Sequence, residues 1–313
     1  MKTISGIGQL NKKYRHVVAA VGVFDSVHRG HQRVIRQAVD EARRLGGTSV
    51  VVTFHPHPVS VLHPERFSSY VLTLEHRLQL IKSLGADVCC VIKFDKRLAR
   101  MSADNFVRKV LVDRLGVKKV IVGEDFHFGH DRSGSVAFLE DQGCRFGFEV
   151  MNISTKRFKN INIKTSYIKK LIAGGELSSL KKFLGRPYAM LARVKHGETI
   201  GRKLGFPTAN LTRENVVILP PGIYCVNVFI GQKKMNGVFY IGSKPSFNRA
   251  RRDVALEAHI LDYTGDLYGK EIRVEFLKKI RDDRRFIDVK ELSEQIARDV
   301  ERARIFFRKR SSR

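Results

Sequence analysis

The chain has 313 residues, enough for two domains of ordinary size, and 43% of them are hydrophobic. No apolar run approaches the roughly 20 residues that a membrane span requires, so we expect a soluble protein with no membrane partner. The first residues lack the apolar segment of a secretion signal, which favours the cytoplasm. The four cysteines show neither metal-binding nor redox spacing, and we interpret them as reduced packing residues.

The formal net charge of +27 indicates an anionic partner. Lysine and arginine are nevertheless spread along the chain among 31 acidic residues, and only the KKYRH start and the RKRSSR tail form compact clusters. We therefore interpret the charge as a solvated basic surface together with phosphate-bearing substrates. Nucleic acid is the alternative partner, ranked well behind because no recognition motif accompanies the charge.

Strand and helix patterns alternate through the first half of the chain. Strands are predicted at 17–23, 49–54, 87–94 and 117–122 and in the segment CRFGFEVMNIS at 144–154. Helices are predicted from Gly30 onward, at 73–84 with Thr73 as N-cap, at 102–115 and near 135–142. This alternation predicts an α/β domain with a parallel, doubly wound sheet.

The pattern changes after Gly185-Arg186-Pro187. Runs with a period of two follow at about 188–196, 222–230, 236–242, 253–262 and 271–279, separated by Gly and Pro. Such spacing predicts an antiparallel barrel or sandwich, and residues 289–307 have the helical spacing of a closing helix. We place the domain boundary at this change, giving domains 1–185 and 186–313.

Two histidines lie in the loop and helix start that follow the 17–23 strand. His28 and His31 can donate ring N–H groups to an anion, and the free N–H groups of a helix start add to the field. Gly30 lets the backbone approach a phosphate closely. Charge on a pentacoordinate phosphorus is stabilised by positioned donors, so the loop suits phosphate chemistry. The alternative is a pair of polar residues that only cap a helix.

This loop resembles the HxGH signature of the nucleotidylyltransferase superfamily. FHPHP at 54–58, GEDFHFG at 123–129 and LGRPY at 184–188 further resemble segments of bacterial bifunctional riboflavin kinase/FAD synthetases. The resemblance covers nearly the whole chain. It implies an N-terminal Rossmann-like nucleotidyltransferase domain that converts FMN to FAD and a C-terminal β-barrel kinase domain that converts riboflavin to FMN. ATP would be the co-substrate of both reactions and Mg²⁺ the cofactor.

The resemblance also implies residue roles in the first domain. His28 and His31 would act as catalytic contacts to the ATP phosphates, within an ATP-binding set of Gly22, Phe24, Asp25, His28, Gly30, His31, Thr165, Ser166 and Lys169. The flavin would bind Pro56, His57, Pro58, Asp125, Phe126 and Phe128. Aromatic rings suit a flat isoalloxazine, although Phe126 and Phe128 could equally pack the core beneath a turn.

Three positions depart from the family pattern. Val23 and Ser26 stand where the family string GNFDGVHLGH has Asn and its second Gly, and Lys169 replaces the last residue of ISSTxIR. A lysine retains the charge of arginine but loses the planar fork that grips phosphate. The alternative within the same class is therefore a monofunctional riboflavin kinase with an impaired adenylyltransferase domain.

A glycine-rich segment, GETIGRKLGFPTAN at 197–210, opens the second candidate site. Glycine allows close approach to phosphates, and the oxygens of Thr and Asn suit Mg²⁺. GRxLGFPTAN resembles the riboflavin kinase signature. The resemblance implies that Thr208 and Asn210 bind the metal, within an ATP-binding set of Gly201, Lys203, Gly205, Pro207, Thr208 and Asn210.

A second kinase string supplies a candidate base. LEAHILD at 256–262 and DLYG at 266–269 resemble the family's ExHI and DLYG strings, which implies that Glu257 is the general base for the ribityl 5′-hydroxyl. On a strand Glu257 and His259 point to the same side. GSKPSF at 242–247 is similar to the family's GxRPTF turn near the nucleotide. The sequence leaves the oligomeric state open.

Overall fold

The structure is a computed structural model that describes residues 1–10, 14–154, 163–196, 204–212, 214, 216–243 and 254–311. Its contacts group the chain into two compact units, Met1–Thr165 and Ser166–Arg313. The domain boundary placed after residue 185 from the change of pattern stays a prediction. Within the described ranges, no helix combines the length and apolar character needed to cross a bilayer.

The first unit is built on a six-stranded sheet in which every pairing is parallel. This confirms the predicted doubly wound sheet, whose strand order is β1-β4-β3-β2-β5-β6. A four-residue edge strand, of which only Ile4 is buried, was not predicted. The strands are β1 Lys2–Ser5, β2 Val17–Val21, β3 Ser49–His55, β4 Val88–Lys93, β5 Val117–Gly123 and β6 Glu149–Ile153.

Helices of the first unit connect these strands, and apolar clusters fill the space on both sheet faces. Thr73 is the N-cap of α3, as predicted, and its side chain accepts a hydrogen bond from the His76 N–H. The strand predicted from residue 144 was wrong at its start, because residues 144–146 complete a helix. The helices are α1 Arg29–Arg44, α2 Pro58–Leu62, α3 Leu74–Ser83, α4 Lys96–Ala99, α5 Ala103–Phe106, continued by the π-helical Val107–Leu115, and α6 Val136–Phe146.

The strand order reverses direction at β2. Strands β3 and β4 follow on one side of β2, and β5 and β6 follow on the other. At such a switch point the loops leave the sheet in opposite directions and open a crevice at the carboxyl ends of the strands. Residues 22–28, which join β2 to α1, therefore begin at the place where a parallel sheet offers a binding site.

The second unit contains a closed barrel in which every pairing is antiparallel, so the barrel alternative is confirmed over the sandwich. The strand order is β10-β11-β8-β7-β12-β9, and the predicted closing helix is present. The elements are α7 Thr165–Ala173, α8 Leu177–Leu184, β7 Ala189–Lys195, β8 Ala209–Leu211, β9 Gly222–Ile230, β10 Lys233–Ser243, β11 Val254–Ile260, β12 Glu271–Asp282 and α9 Val289–Ser311.

An aromatic cluster fills the barrel interior around Phe276. Its ring centroid lies 5.1 Å from Phe239, 5.6 Å from Tyr224 and 5.9 Å from Tyr188. All four side chains are almost fully buried. Because edge-to-face and offset ring pairs add to the gain from burial, this cluster should contribute strongly to the stability of the barrel.

Replacing the central ring tests that contribution. We expect Phe276→Ala to lower the free energy of unfolding of the second unit by about 3–5 kcal/mol, the usual cost of such a cavity. Ile287→Ala is the matched control, because Ile287 is 96% exposed. Chemical denaturation should show a change for Ile287→Ala within about 0.5 kcal/mol. Equal effects of the two substitutions would contradict the packing described here.

The cysteines divide into two kinds. Cys89, Cys90 and Cys225 are buried, and burial raises the pKa of Cys89 and Cys90 to about 12 and that of Cys225 to about 11. Cys144 is exposed, so its interpretation as a packing residue was wrong. It lies in the last turns of α6, on the side of the helix that faces solvent.

A thiol-reactive reagent should therefore distinguish Cys144 from the others. At pH 8 the folded protein is expected to react rapidly at Cys144 alone, because the thiolate is the reactive form and the buried thiols stay protonated. Cys144→Ser should remove the rapid phase, and unfolding in denaturant should expose the remaining thiols. Rapid labelling of the folded Cys144→Ser variant would contradict the burial of the other three thiols.

Candidate active sites

A cavity of about 1160 Å³ opens at the carboxyl ends of the strands in the first unit. It lies at the switch point, so the topology alone predicts its place. Most residues that the sequence assigned to adenylyl transfer line it together. They are Gly22, Phe24, His28, Gly30, His31, His57, Pro58, Asp125, Phe126, Phe128 and Thr165.

The two histidines form a stacked pair at the start of α1. His28 is the N-cap of the helix, and its Nδ1 accepts a hydrogen bond from the His31 N–H at 3.2 Å. The ring centroids are 3.6 Å apart with an angle of 20° between the planes. Because Nδ1 of His28 is an acceptor, the neutral ring carries its proton on Nε2. The capping interaction thus leaves Nε2 as a donor, so capping and phosphate contact are compatible in one residue.

The loop that carries the histidines has a constrained backbone. Phe24 has a φ of 51° and Val27 a φ of 43°, conformations that are costly for residues other than glycine. A Cβ on Gly22 would lie 2.9 Å from the Phe24 ring. Phe24 in turn packs edge-to-face on His31, with 5.3 Å between centroids. Gly22 therefore makes room for the ring that supports His31.

Ser26 is accommodated without strain, although the family pattern has Gly there. Its φ is not among the positive values found in this loop. The side chain is fully buried, and its Oγ lies 3.4 Å from the Thr165 Oγ1. This contact joins the histidine loop to the segment that carries the predicted ATP-binding hydroxyls. The change at Ser26 therefore gives no structural reason for an inactive site.

Four residues that the sequence assigned to adenylyl transfer do not line the cavity. Asp25 is 1% exposed, and its carboxylate accepts hydrogen bonds at 3.3 Å from the Val71 N–H. It therefore binds the backbone of the loop before α3. Pro56, which follows a cis peptide bond, is also outside the cavity lining. Ser166 and Lys169 belong to α7 in the second unit. Their assigned roles in ATP and flavin binding stay predictions.

An aromatic wall forms one side of the cavity. The rings of Phe126 and Phe128 stack at 5.3 Å between centroids, and Phe106 packs on Phe128 at 5.6 Å. Phe128 belongs to the buried core, and Phe126 packs against it while lining the cavity. The two interpretations of these phenylalanines are therefore compatible, because the core itself presents a flat apolar surface to the cavity.

The sequence did not point to the segment after β4, which also lines the cavity. Phe94, Lys96, Arg100 and Met101 lie there. The position of this segment could have been inferred from the topology. Because β4 is a parallel strand of the same sheet, the loop at its carboxyl end lies at the sheet edge where the cavity opens. This segment adds two cations to a cavity expected to receive phosphates.

The second candidate site lies on two paired strands of the barrel. Thr208 Oγ1 donates a hydrogen bond to Glu257 Oε2 at 3.1 Å. The antiparallel pairing of β8 with β11 places Asn210 opposite Glu257. The candidate metal ligands and the candidate base are thus direct neighbours, as the sequence motifs required. Gly201 and Lys203 and residues 244–247 lie outside the described residues.

His259, which follows Glu257 by two residues on β11, holds the turn before β8. The ring Nδ1 of His259 lies 2.9 Å from the Pro207 carbonyl oxygen. Gly205, two residues earlier, has a φ of 84°, which an L side chain rarely adopts. His259 and Gly205 therefore explain how a short turn brings Thr208 onto Glu257.

A tyrosine outside the sequence motifs also faces this site. Tyr240 lies opposite Glu257 on β10, and its hydroxyl donates to Asp283 Oδ2 at 3.4 Å. Burial, followed by the nearby Asp283 carboxylate, raises the pKa of Tyr240 to about 12. Tyr240 therefore stays protonated through the physiological range and remains a donor beside the candidate base.

The oxygen atoms of the barrel site suit a hard cation. Among the described residues no three His, Cys, Asp or Glu side chains cluster into a metal site. Thr208 and Asn210 instead offer a hydroxyl and an amide oxygen beside a carboxylate, and such oxygens match the preference of Mg²⁺. The Thr208 hydroxyl uses its hydrogen toward Glu257, which leaves its lone pairs for a cation.

Comparison with known proteins matches a family model to each of two regions of the chain. The FAD synthetase family model matches residues 10–167, and the riboflavin kinase family model matches residues 184–307. A bifunctional riboflavin kinase/FMN adenylyltransferase from Escherichia coli is 36% identical over 98% of each chain. The chain belongs to the bifunctional riboflavin kinase/FMN adenylyltransferase family. Its Bacillus subtilis member is 36% identical over 93% of this chain and 92% of its own.

Family membership confirms the resemblance drawn from the motifs and the order of the two activities along the chain. A solved structure described as a macrolide-efflux protein from Streptococcus pneumoniae matches with a TM-score of 0.85 and 28% identity. That match covers 97% of this chain and 99% of the other. The two proteins thus share their fold over nearly all of this chain.

The close approach of Gly22 to Phe24 can be tested by substitution. We expect Gly22→Ala to displace Phe24 and with it the His31 ring, and so to lower FMN-to-FAD turnover by about tenfold or more. Gly8→Ala is the matched control, because a Cβ there would meet no atom within 4 Å. Steady-state kinetics with FMN and ATP would measure both variants. Full turnover in Gly22→Ala would contradict a rigid histidine loop.

Proposed function

We propose that the barrel site phosphorylates riboflavin to FMN and that the cavity of the first unit adenylylates FMN to FAD. The observation that carries the proposal is that each unit assembles its own set of motif residues. Stacked histidines and an aromatic wall meet around one cavity, and Thr208 bonds to Glu257 on the barrel. Riboflavin, FMN and ATP are then the small-molecule partners of the chain.

In the kinase reaction the 5′-hydroxyl of riboflavin attacks the γ-phosphorus of ATP. Glu257 accepts the hydroxyl proton as the new P–O bond forms, the bond between the β–γ bridging oxygen and the γ-phosphorus breaks, and ADP leaves. Thr208 orients the Glu257 carboxylate through its hydrogen bond. The roles of Gly205 and Pro207 are to shape the turn that approaches the nucleotide, and Gly201 and Lys203 would complete it.

Thr208 and Asn210 would hold Mg²⁺ at this site. When bound, the ion neutralises charge on the ATP phosphates during transfer. The support for this assignment is the donor set, a hydroxyl and an amide beside a carboxylate. His259 contributes indirectly, since it bonds to the Pro207 carbonyl and so fixes the residue before Thr208.

In the adenylyl transfer a phosphate oxygen of FMN attacks the α-phosphorus of ATP. The bond from the α-phosphorus to the bridging oxygen breaks, pyrophosphate leaves, and no enzyme nucleophile is required. His28 and His31 contact the ATP phosphates through ring N–H groups, helped by the N–H groups and dipole at the start of α1. Catalysis here depends mainly on positioning and on the field of the site.

The flavin ring of FMN would lie against the aromatic wall. Phe126 and Phe128 offer stacked rings, and His57 and Pro58 line the cavity nearby. Asp125 is exposed at its rim and is available to a polar edge of the flavin. Gly22, Phe24, Gly30 and Thr165 would surround the ATP, with Ser166 and Lys169 as further contacts.

A purely monofunctional kinase is the competing proposal. It depends on Val23, Ser26 and Lys169, and the accommodation of Ser26 removes one of its reasons. Val23 contributes a backbone carbonyl to the loop, which any residue supplies. We therefore favour the bifunctional enzyme. We further propose a cytoplasmic enzyme, since its cysteines are free thiols and its co-substrate is ATP.

Removal of the candidate base tests the kinase assignment. We expect Glu257→Gln to lower FMN formation from riboflavin by about 100-fold or more, because a neutral amide cannot accept the hydroxyl proton. The same variant should convert FMN to FAD at the wild-type rate. Glu271→Gln, on the exposed end of β12, is the matched control and should retain both activities. Loss of both activities in folded Glu257→Gln would contradict separate sites.

A further inference from the structure

Arg77 is a buried arginine on α3, outside the motifs that define the family resemblance. Only 2% of its surface is exposed, and the capped start of α3 at Thr73 places it on the first turn. Burial lowers the pKa of the guanidinium, and the nearby Asp25 carboxylate opposes that effect. A buried cation is costly unless hydrogen-bond acceptors surround it, so the groups that Arg77 contacts are held close to it.

Its two terminal nitrogens reach two different backbone segments. Nη1 donates to the Val23 carbonyl at 2.9 Å, and Nη2 donates to the Phe54 carbonyl at 3.2 Å. Val23 lies in the loop after β2, and Phe54 is the penultimate residue of β3. The planar fork of one side chain therefore spans the carboxyl ends of two adjacent parallel strands.

Further contacts make this bridge rigid. Thr53 Oγ1 donates to the same Val23 carbonyl at 2.9 Å, so that oxygen accepts two hydrogen bonds. Asp25, two residues after Val23, is also buried and accepts from the Val71 N–H. Arg77 and Thr53 thus fix the start of the histidine loop against the end of β3, and Asp25 ties the same loop to the Val71 backbone.

The two segments that Arg77 joins lead to different substrates in the proposed site. The Val23 loop continues to His28 and His31, and Phe54 precedes the 55–58 segment on the flavin side. We propose that Arg77 is a positioning residue for adenylyl transfer, which sets the distance between the ATP phosphates and the phosphate of FMN. The proposal rests on the adenylylation site proposed above and adds a residue that touches neither substrate.

A residue with this role affects the approach of the two reactants more than the binding of either. We expect Arg77→Lys, which retains the charge but loses the fork, to lower kcat for FMN-to-FAD conversion by about 10- to 100-fold. The KM values for ATP and FMN should change little, and riboflavin phosphorylation by the same molecules should be unchanged. Arg43→Lys is the matched control, because the Arg43 side chain is 72% exposed on α1.

Unchanged kcat in Arg77→Lys, or higher KM values at full kcat, would overturn the proposal. If Arg77→Lys fails to fold, as judged by the thermal unfolding of the protein, Thr53→Val carries the test. This substitution nearly preserves the volume of a fully buried side chain and removes only the second donor to Val23. It should lower kcat by a smaller factor of about 3–10 with KM unchanged. A wild-type kcat in Thr53→Val would then reject the role.

Failure of the underlying site assignment gives a different result. Wild-type protein that makes no FAD from FMN and ATP would reject the proposed adenylylation site before any variant is compared. Wild-type protein that makes FAD, together with full activity in Arg77→Lys and Thr53→Val, would reject only the positioning role.

Discussion

The parallel pairing of β2 with both β3 and β5 is the constraint on which the first site depends. Parallel strands leave the sheet at the same edge, and the reversal of strand order at β2 opens a crevice there. The histidine loop follows β2, the 55–58 segment follows β3, and the aromatic wall follows β5. Segments that are distant in sequence therefore meet around one cavity, and Arg77 ties the first two of them together.

In the barrel a single short strand, β8, brings the candidate site residues together. Strand β8 has three residues, yet its pairing with β11 places Asn210 opposite Glu257 and brings Thr208 into hydrogen-bond distance of the carboxylate. The turn before it is held by His259 and contains Gly205 with a positive φ. Backbone pairing thus sets the position of the Asn210 amide, and the contact of His259, on the same strand as Glu257, keeps the turn that carries Thr208 in place.

Periodicity predicted the parallel sheet, the closing helix and most strand positions, because long buried elements repeat their apolar residues regularly. It missed β1 and β8, since strands of three or four residues carry too little pattern. Arg77 was also missed, although it shares the helix face of Leu74, Leu78 and Ile81, where a charged residue signals a buried partner. Motif strings found His28, Thr208 and Glu257, but strings cannot show that Asp25 points away from the cavity.

Two sites that act in sequence should produce their two flavin products in order, which a time course of the reaction can follow. The protein would be incubated with riboflavin, excess ATP and Mg²⁺, and the flavins would be separated by chromatography at successive times. FMN should appear first, and FAD should follow at its expense. Accumulation of FMN without FAD would contradict an active adenylylation site, and the absence of FMN would contradict the kinase site as well.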